Sequence, residues 1–391
     1  MPIRNRIAEL QPELAALRRD IHAHPELGAE TKRTSALVAE ELRAMGCDQV
    51  VEGIGGLGVV GLIRGRADSA GRVLGLRGDM DALPIAEETG AEHASRTPGV
   101  MHACGHDGHT AMLLGAARYL AETRNFDGAV ALIFQPAEET GQGARAMIED
   151  GLMARFAIQE VYGLHNMPGL PVGAFALRPG PLMAAVDEFD ITVTGRGGHA
   201  AKPHETVDPT VIAAQIVVAA QSIISRNADP VAEGVLSVTS VRTSATAYNV
   251  IPQSVHLRGT VRSHDAALQD RVEARLGALA QGIAAAMGGR AEMVYDRIVP
   301  ITVNAAAPTA LAREAAQAVA GQAPGQLREA PLIMGGEDFA FMLNARPGAF
   351  VFVGNGDNAP LHHPEYDFND AAIAAGASFF AELVERRMPA G

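Results

Sequence analysis

Nine consecutive residues in this chain carry a high density of side chains that bind metals. The run at residues 101–109 contains the thiol of Cys104, three imidazoles and one carboxylate. Sulfur and nitrogen ligands suit a transition metal better than calcium or magnesium. Cys104 and His106 are two residues apart, so one metal ion could take both side chains. The run therefore predicts a transition-metal site, and the alternative is a buried free cysteine beside structural histidines.

Further candidate ligands lie at Glu138, Glu139, His165 and the neighbouring pair His362 and His363. A closed structural zinc site needs four ligands, usually with a second Cys or His pair nearby, which this sequence lacks. A hydrolase needs one carboxylate to hold a metal and another to take a proton from water. Adjacent Glu138 and Glu139 could divide these two roles. The alternative is a solvated glutamate pair at a helix N-terminus.

The elements around these residues are predicted from their apolar spacing. Helices are expected at 6–19, 33–45 and 110–120, and buried strands at 57–64, 72–77 and 129–134. Asp79 and Asp81 follow one of these strands, and Glu138 and Glu139 follow another. Ligands collect at the carboxyl ends of strands in open α/β sheets. We therefore expect the acidic clusters and the cysteine run to meet at one edge of a sheet.

The pattern changes near Val186 and returns after Pro300. Asp208 and Pro209 predict a helix start, and Ser263 is expected to cap a helix over 265–287. With strands near 187–193, 234–242, 255–262 and 291–299, the order is βαββαβ, which is ferredoxin-like. The predicted fold class is α/β, with a mixed-sheet domain of residues 1–185 plus 300–391 and an inserted domain of residues 186–299.

Length and composition set wider limits on the protein. A chain of 391 residues favours two domains, and 48% hydrophobic with 20% charged residues is typical of a globular protein. The net charge of −13 argues against a nucleic-acid partner. We find no apolar run approaching the roughly 18–20 residues of a membrane span and no signal peptide. Only two cysteines occur, so we expect a reducing, cytoplasmic location.

Several long motifs resemble the M20 metallopeptidase and amidohydrolase family. The resemblance is to its N-acyl-amino-acid hydrolase branch, which includes hippurate hydrolases, aminoacylase-like enzymes and plant auxin-conjugate hydrolases. It covers essentially the whole chain. The motifs lie in order at residues 18–27, 77–84, 101–109, 135–139, 197–204, 249–252, 334–339 and 361–364.

The resemblance implies roles for particular residues of this chain. The implied ligands of two divalent metal ions are Cys104, His106, Glu139, His165 and His362, with Glu138 as the general base. The thiolate of Cys104 could bridge the two ions, which could be zinc, manganese, nickel or cobalt. The inserted domain is implied to act as a lid and to pair two subunits into a homodimer. His199 and Asn249 are implied to contact the substrate.

One departure from the broader family concerns Asp79 and Asp81. Most members carry a His ligand where this chain has Asp79, so we expect both aspartates to orient neighbouring groups rather than to bind metal. His363 is a competitor of His362 for the last ligand position. His362 directly follows Leu361, as in the family motif, and this position favours His362 as the ligand.

The function predicted from this resemblance is metal-dependent hydrolysis of the amide bond of N-acyl amino acids. The products would be a carboxylic acid and a free amino acid. Within the family, the alternatives are a dipeptidase and an N-acetyl-diaminopimelate deacetylase. From other classes, we weigh an amidase with Cys104 as nucleophile and a non-catalytic binding protein. The abundance of carboxylates disfavours the first, and the presence of Glu138 disfavours the second.

Overall fold

The computed structural model describes residues 2–321 and 325–390, and it describes side chains from residue 5 onward. The chain forms two compact units. The larger unit comprises the described residues of 1–182, 302–331 and 337–391. The smaller unit comprises residues 183–301 and 332–336. Each unit has its own hydrophobic core.

Helices and strands are numbered along the whole chain. The helices are α1 (Pro2–Ala23), α2 (Lys32–Ala44), α3 (His106–Thr123), α4 (Gly143–Glu149), α5 (Leu152–Arg155), α6 (Pro209–Ser222), α7 (Ala266–Ala286), α8 (Ala306–Ala320), α9 (Phe339–Ala345) and α10 (Ile373–Arg387). The strands are β1 (Gln49–Ile54), β2 (Gly58–Arg64), β3 (Val73–Asp79), β4 (Ala129–Gln135), β5 (Glu160–Pro168), β6 (Phe175–Leu177), β7 (Gly180–Met183), β8 (Ala185–Thr194), β9 (Gly198–His199), β10 (Gly234–Thr243), β11 (Val250–Ile251), β12 (Ser254–Ser263), β13 (Arg290–Val299), β14 (Thr302–Asn304), β15 (Leu327–Glu329) and β16 (Gly348–Gly356).

The larger unit is built on an eight-stranded mixed sheet. Its strand order is β1-β2-β4-β3-β5-β16-β6-β15. The four central strands, β4, β3, β5 and β16, run parallel to one another. Strands β1 and β2 pair antiparallel, as do β2 and β4, and β16 and β6. Strands β3 and β4 are buried along their whole length, which explains their uninterrupted apolar runs.

Helix α3 begins at His106, four residues before its predicted start. Gly105 precedes it with a φ of 88°, in the left-handed region that glycine adopts without steric cost. The backbone therefore turns directly from the Cys104 loop into the helix. As a result, His106 and His109 lie on the first turn of α3 rather than in a loop before it.

The smaller unit contains the order β8, α6, β10, β12, α7, β13. Its four-stranded sheet has the order β10-β12-β8-β13, and the three pairings are all antiparallel. Strand β8 alternates buried and less buried residues, as its sequence predicts. This βαββαβ arrangement is the ferredoxin-like one.

Of the two helix caps predicted in the smaller unit, one is confirmed and one is wrong. The Asp208 side chain accepts a hydrogen bond from the backbone N–H of Thr210 at 2.8 Å, which confirms it as the cap of α6. The prediction for Ser263 is wrong. Asp265 caps α7 instead, and Ser263 Oγ accepts from the Asp265 N–H at 3.0 Å. A serine two residues before the capping residue thus stabilises that residue and not the helix.

One helical segment of the smaller unit is both long and apolar. Residues Pro209–Asn227 form 19 helical residues with a mean hydropathy of 1.2, enough to cross a membrane by length and composition alone. The helix itself was predicted, but not as a run of membrane-spanning length, because Gln215 and Gln221 interrupt its apolar residues. Ile212, Ile216 and Ile223 lie in the core of the smaller unit, and 33% of the apolar window is buried.

Candidate active site

The predicted metal ligands converge at the carboxyl edge of the central parallel strands. Glu138 and Glu139 follow β4, His165 lies near the end of β5, and His362 follows β16. Cys104 lies in the loop that leads into α3. This is the edge at which parallel strands expose ligand-binding loops. The expectation of one shared edge is confirmed.

Two groups of three candidate ligands share the thiol of Cys104. In the first group, the ligand atoms of Cys104, His106 and His165 lie within 4.8 Å of one another. In the second, those of Cys104, Glu139 and His362 do so. Cys104 Sγ lies 3.4 Å from His165 Nε2, and Glu139 Oε2 lies 3.7 Å from His362 Nε2. All five predicted ligands therefore lie in one cluster, and His106 also groups there with Glu138 and Glu139.

Unpartnered polar atoms in this cluster show that its residues fit metal ions. His106 Nδ1, His106 Nε2 and Glu139 Oε1 are buried and have no hydrogen-bond partner among the described residues. Leaving such atoms buried and unpaired is costly, and a bound cation would satisfy them. Burial, together with the charge of Glu139, raises the pKa of the Cys104 thiol well above its usual range. A thiolate here therefore needs a cation nearby.

Hydrogen bonds fix which imidazoles are available to a metal. His165 Nδ1 donates to the backbone carbonyl of Asn166 at 2.7 Å, which leaves Nε2 facing Cys104. His109 differs, because both of its ring nitrogens are occupied. His109 Nδ1 donates to Asp79 Oδ1 at 2.6 Å, and Nε2 accepts from the Asn166 N–H at 3.0 Å. His109 therefore supports the site without a free nitrogen for a metal.

His362 and His363 differ in the groups that they face. His363 Nδ1 accepts the backbone N–H of Glu365 at 3.1 Å, whereas His362 Nε2 faces Glu139. His362 has a φ of 65°, which is uncommon for a residue other than glycine. Its N–H donates to the Ala103 carbonyl at 2.8 Å, so the loop is tied to the Cys104 segment. Local strain of this kind clusters at functional sites.

Asp81 holds the glutamate pair in place. Its two carboxylate oxygens accept the backbone N–H groups of Glu138 at 3.0 Å and Glu139 at 3.1 Å. Asp81 Oδ1 also lies 3.4 Å from His106 Nδ1. Ala137, just before the pair, has a φ of 60° and makes the turn. The geometry agrees with the expectation that Asp81 orients its neighbours.

We predict that Asp81→Asn weakens metal binding by about 10–100-fold, as loss of such supporting groups typically does. The asparagine places an N–H₂ against a backbone N–H and removes the charge beside His106. Metal affinity measured by competition with a chromophoric chelator tests this. Asp127→Asn is the matched control, because Asp127 accepts the Ser69 N–H at 2.7 Å in the larger unit. Equal affinity in both variants would refute the role of Asp81.

A buried ion network behind the site was missed in the sequence. Arg77, on β3, is 1% exposed and donates to Asp79 Oδ2 at 2.6 Å, Glu337 Oε1 at 2.9 Å and Asp338 Oδ1 at 3.1 Å. It also donates to Gln135 Oε1 at 2.9 Å. Arg77, against the opposing effect of burial, holds the pKa of Asp79 well below its usual range. The signal available in the sequence was Arg77 itself, a single arginine at the end of an apolar strand.

The two glutamates differ in their surroundings. Burial, Glu337 and Glu139 raise the pKa of Glu138 well above its usual range. Burial raises the pKa of Glu139 to about 7. Glu138 Oε1 accepts the backbone N–H of Asp338 at 3.5 Å, and its side chain remains 12% exposed. Glu138 is in neither of the two Cys104 groups described above, but it forms a further group with His106 and Glu139. It is thus a carboxylate of raised proton affinity beside the cluster, as a general base or acid requires.

The two predicted substrate contacts lie in the smaller unit. His199, on β9, pairs with Val250 on β11, and the Ala200 N–H donates to the Asn249 carbonyl at 2.9 Å. His199 and Asn249 are therefore neighbours. His199 is exposed, and its Nδ1 accepts a hydrogen bond from the backbone N–H of Ala201 at 3.1 Å. This hydrogen bond does not use the other ring nitrogen, Nε2.

The sequence model of peptidase family M20/M25/M40 matches residues 75–386. The chain belongs to this family. The resemblance stated from the motifs is thereby confirmed, as are the α/β fold class and the identity of the protein as an enzyme of this family.

Individual M20 relatives match nearly the whole chain. It is 40% identical to an N-acetyl-L-cysteine deacetylase of Bacillus subtilis, over 97% of this chain and 89% of the relative. It is 40% identical to the hippurate hydrolase of Campylobacter jejuni, over 96% of this chain and 97% of the relative. Among solved structures, it is similar to the YXEP protein of Bacillus subtilis, described as a dinuclear metal binding peptidase from the M20 family. That match has a TM-score of 0.84 and 35% identity, covering 96% of this chain and 98% of the other.

Proposed function

We propose that this protein is a dinuclear-metal amidohydrolase that cleaves N-acyl amino acids into a carboxylic acid and a free amino acid. The observation that carries the proposal is the pair of three-ligand groups sharing Cys104, with Glu138 beside them in a further group with His106 and Glu139. Two M20 relatives at 40% identity are named for hippurate and N-acetyl-L-cysteine hydrolysis. Their names support an N-acyl amino acid as the substrate class.

The proposed ligand set follows from the two groups. Cys104, His106 and His165 would hold one ion, while Cys104, Glu139 and His362 would hold the other. When bound, the ions polarise the scissile carbonyl and lower the pKa of water toward ~7. Zinc, manganese, nickel and cobalt all suit this mixture of thiolate, imidazole and carboxylate. A free thiol as ligand suits a reducing compartment, so we place the enzyme in the cytoplasm.

Glu138 is the proposed general base. Its carboxylate takes a proton from the attacking water and passes that proton to the leaving amine. Burial and neighbouring carboxylates raise its pKa, which makes it a better proton acceptor than a solvated glutamate. The Asp338 N–H holds one of its oxygens, so the other remains available for proton transfer.

The smaller unit has a proposed part in substrate binding. His199 Nε2 and the side chain of Asn249 are the proposed contacts to the tetrahedral oxyanion and the substrate. We further propose that this unit, residues 183–301 with 332–336, acts as a lid and pairs two subunits. The exposed apolar residues Val211 and Val218 on α6 support an interface there.

The test begins with protein stripped by a chelator and reloaded separately with zinc, manganese, nickel or cobalt. We expect activity to be lost on chelation and restored by at least one ion. Benzoyl-, acetyl- and indoleacetyl-amino acids identify the acyl preference. N-acetyl-diaminopimelate and a dipeptide represent the alternative activities, and we expect lower kcat/KM for both.

Two results would contradict the proposal. Turnover that survives complete metal removal and traps a covalent acyl-enzyme would identify Cys104 as a nucleophile instead. A higher kcat/KM for the dipeptide than for every N-acyl amino acid would identify a peptidase. Metal analysis of each preparation shows that the stripped protein is metal-free.

A further inference from the structure

Two buried residues outside the ligand set support the Cys104 loop. Asn166 and Tyr366 are 1% exposed or less. The Asn166 side-chain amide donates to the Cys104 backbone carbonyl at 2.6 Å, and the Tyr366 hydroxyl donates to Asn166 Oδ1 at 2.8 Å. A chain of hydrogen bonds therefore connects Tyr366 to the backbone of the proposed bridging residue.

Asn166 is tied to more than one part of the site. Its backbone carbonyl accepts from His165 Nδ1, and its backbone N–H donates to His109 Nε2. Its side chain fixes Cys104. One residue thus sets both Cys104 and His165, whose ligand atoms lie 3.4 Å apart. The close fit extends to Gly105, where an added Cβ would overlap the Asn166 amide and the Tyr366 hydroxyl.

Tyr366 holds one side of the Asn166 amide, whose Nδ2 faces the Cys104 carbonyl and also lies 3.1 Å from His109 Nε2. The Cys104 carbonyl can only accept, so the NH₂ group must face it. Oδ1 then faces Tyr366, the one hydroxyl that donates to it among the described residues. Without this donor, Oδ1 is a buried acceptor with no partner, which costs about 1–3 kcal/mol. A shift of the amide that lessens this cost also weakens its hydrogen bond to the Cys104 carbonyl.

We propose that Tyr366 is a positioning residue that holds the Cys104 loop in its metal-binding geometry by fixing the Asn166 amide. The inference rests on the ligand set of the proposed function and adds a residue to its support. Among the described residues, the hydrogen bonds of the Tyr366 hydroxyl go to Asn166 and Asn355 and not to a proposed ligand side chain, so we expect its effect to be transmitted by Asn166. Supporting partners of metal ligands have effects of this kind.

The experiment is a cobalt titration of Tyr366→Phe, starting from metal-free protein. The thiolate-to-cobalt charge-transfer absorption reports Cys104 ligation directly and is independent of turnover. We expect the variant to fold, with an unchanged far-ultraviolet circular dichroism spectrum. We expect its cobalt affinity to fall by about 10–100-fold and its thiolate band to weaken. Tyr162→Phe is the matched control, because this buried hydroxyl donates to Glu160 in the same unit.

A double-mutant cycle separates positioning from general stability. If Tyr366 acts through Asn166, the loss of cobalt affinity caused by Tyr366→Phe disappears in the Asn166→Ala background. An equal loss of cobalt affinity in both backgrounds would overturn this inference but not the proposed function. Wild-type cobalt affinity and a wild-type thiolate band in Tyr366→Phe would do the same. A wild-type protein that binds cobalt without a thiolate band would instead refute the proposed ligand set, and this inference with it.

Discussion

Replacing Glu138 with glutamine is expected to lower kcat by about 10²–10⁴-fold, the range for loss of a general base. The amide keeps the size of the side chain and an acceptor for the Asp338 N–H, so the fold should be retained. It cannot accept a proton from water or deliver one to the leaving amine. Because Glu138 is in neither of the two groups proposed to hold the ions, metal content should stay near two ions per chain. Steady-state kinetics and elemental analysis on the same preparation check both expectations.

Glu139→Gln is the matched comparison, since it makes the same chemical change one residue away. Glu139 contributes an oxygen to the group with Cys104 and His362, and its Oε1 is buried without a partner among the described residues. We expect this variant to lose metal affinity, and excess metal to restore part of its activity. Glu138→Gln should not respond to excess metal. Retained turnover in Glu138→Gln, or the reverse pattern of metal dependence, would contradict the assignment.

The position of the site could be predicted because its signals are local. Apolar runs marked β3 and β4, and the polar residues that follow each run had to lie at strand ends. The parallel arrangement then brings such ends to one edge of a sheet. Cys104 and His106 were recognisable from residue type and spacing alone. Sequence-local information of this kind is sufficient for strand position and for the Cys104 run, whereas the full ligand set was implied by the resemblance to the M20 family.

The supporting network could not be predicted in the same way. Arg77 contacts Glu337 and Asp338, which are 260 and 261 residues away in the chain. No periodicity or spacing connects such distant residues, because their pairing depends on how the whole sheet is assembled. The prediction of the α7 cap was wrong for a different reason. Ser263 and Asp265 are both good capping residues, and only the backbone geometry selects between them.

Substitution of Arg77 is expected to have the largest effect on stability. In Arg77→Met, the carboxylates of Asp79, Glu337 and Asp338 lose their buried guanidinium partner. Breaking a buried ion pair from one side costs on the order of 3–5 kcal/mol. That is a large part of the roughly 5–15 kcal/mol by which a typical domain is stable. Urea unfolding followed by circular dichroism measures the loss of unfolding free energy. The stability of Arg77→Lys should lie between those of the wild-type protein and Arg77→Met, because lysine lacks the guanidinium fork.

Arg387→Met tests whether the stability lost on removing an arginine depends on its burial or on its charge alone. Arg387 pairs with Glu160 but is 31% exposed, so its loss should cost less than about 1 kcal/mol. Equal costs at Arg77 and Arg387 would contradict the buried network.

The cause can be isolated by removing one of the carboxylates that Arg77 compensates. If stranded negative charge destabilises Arg77→Met, then adding Glu337→Gln to it should recover stability, whereas Glu337→Gln alone should lower the stability of the wild-type protein. This reversal of sign is the signature of an uncompensated buried charge. A purely steric role for the arginine would give additive losses. Because Glu337 and Asp338 also lie beside Glu138, recovered stability need not restore turnover, and the two measurements separate support of the fold from support of the base.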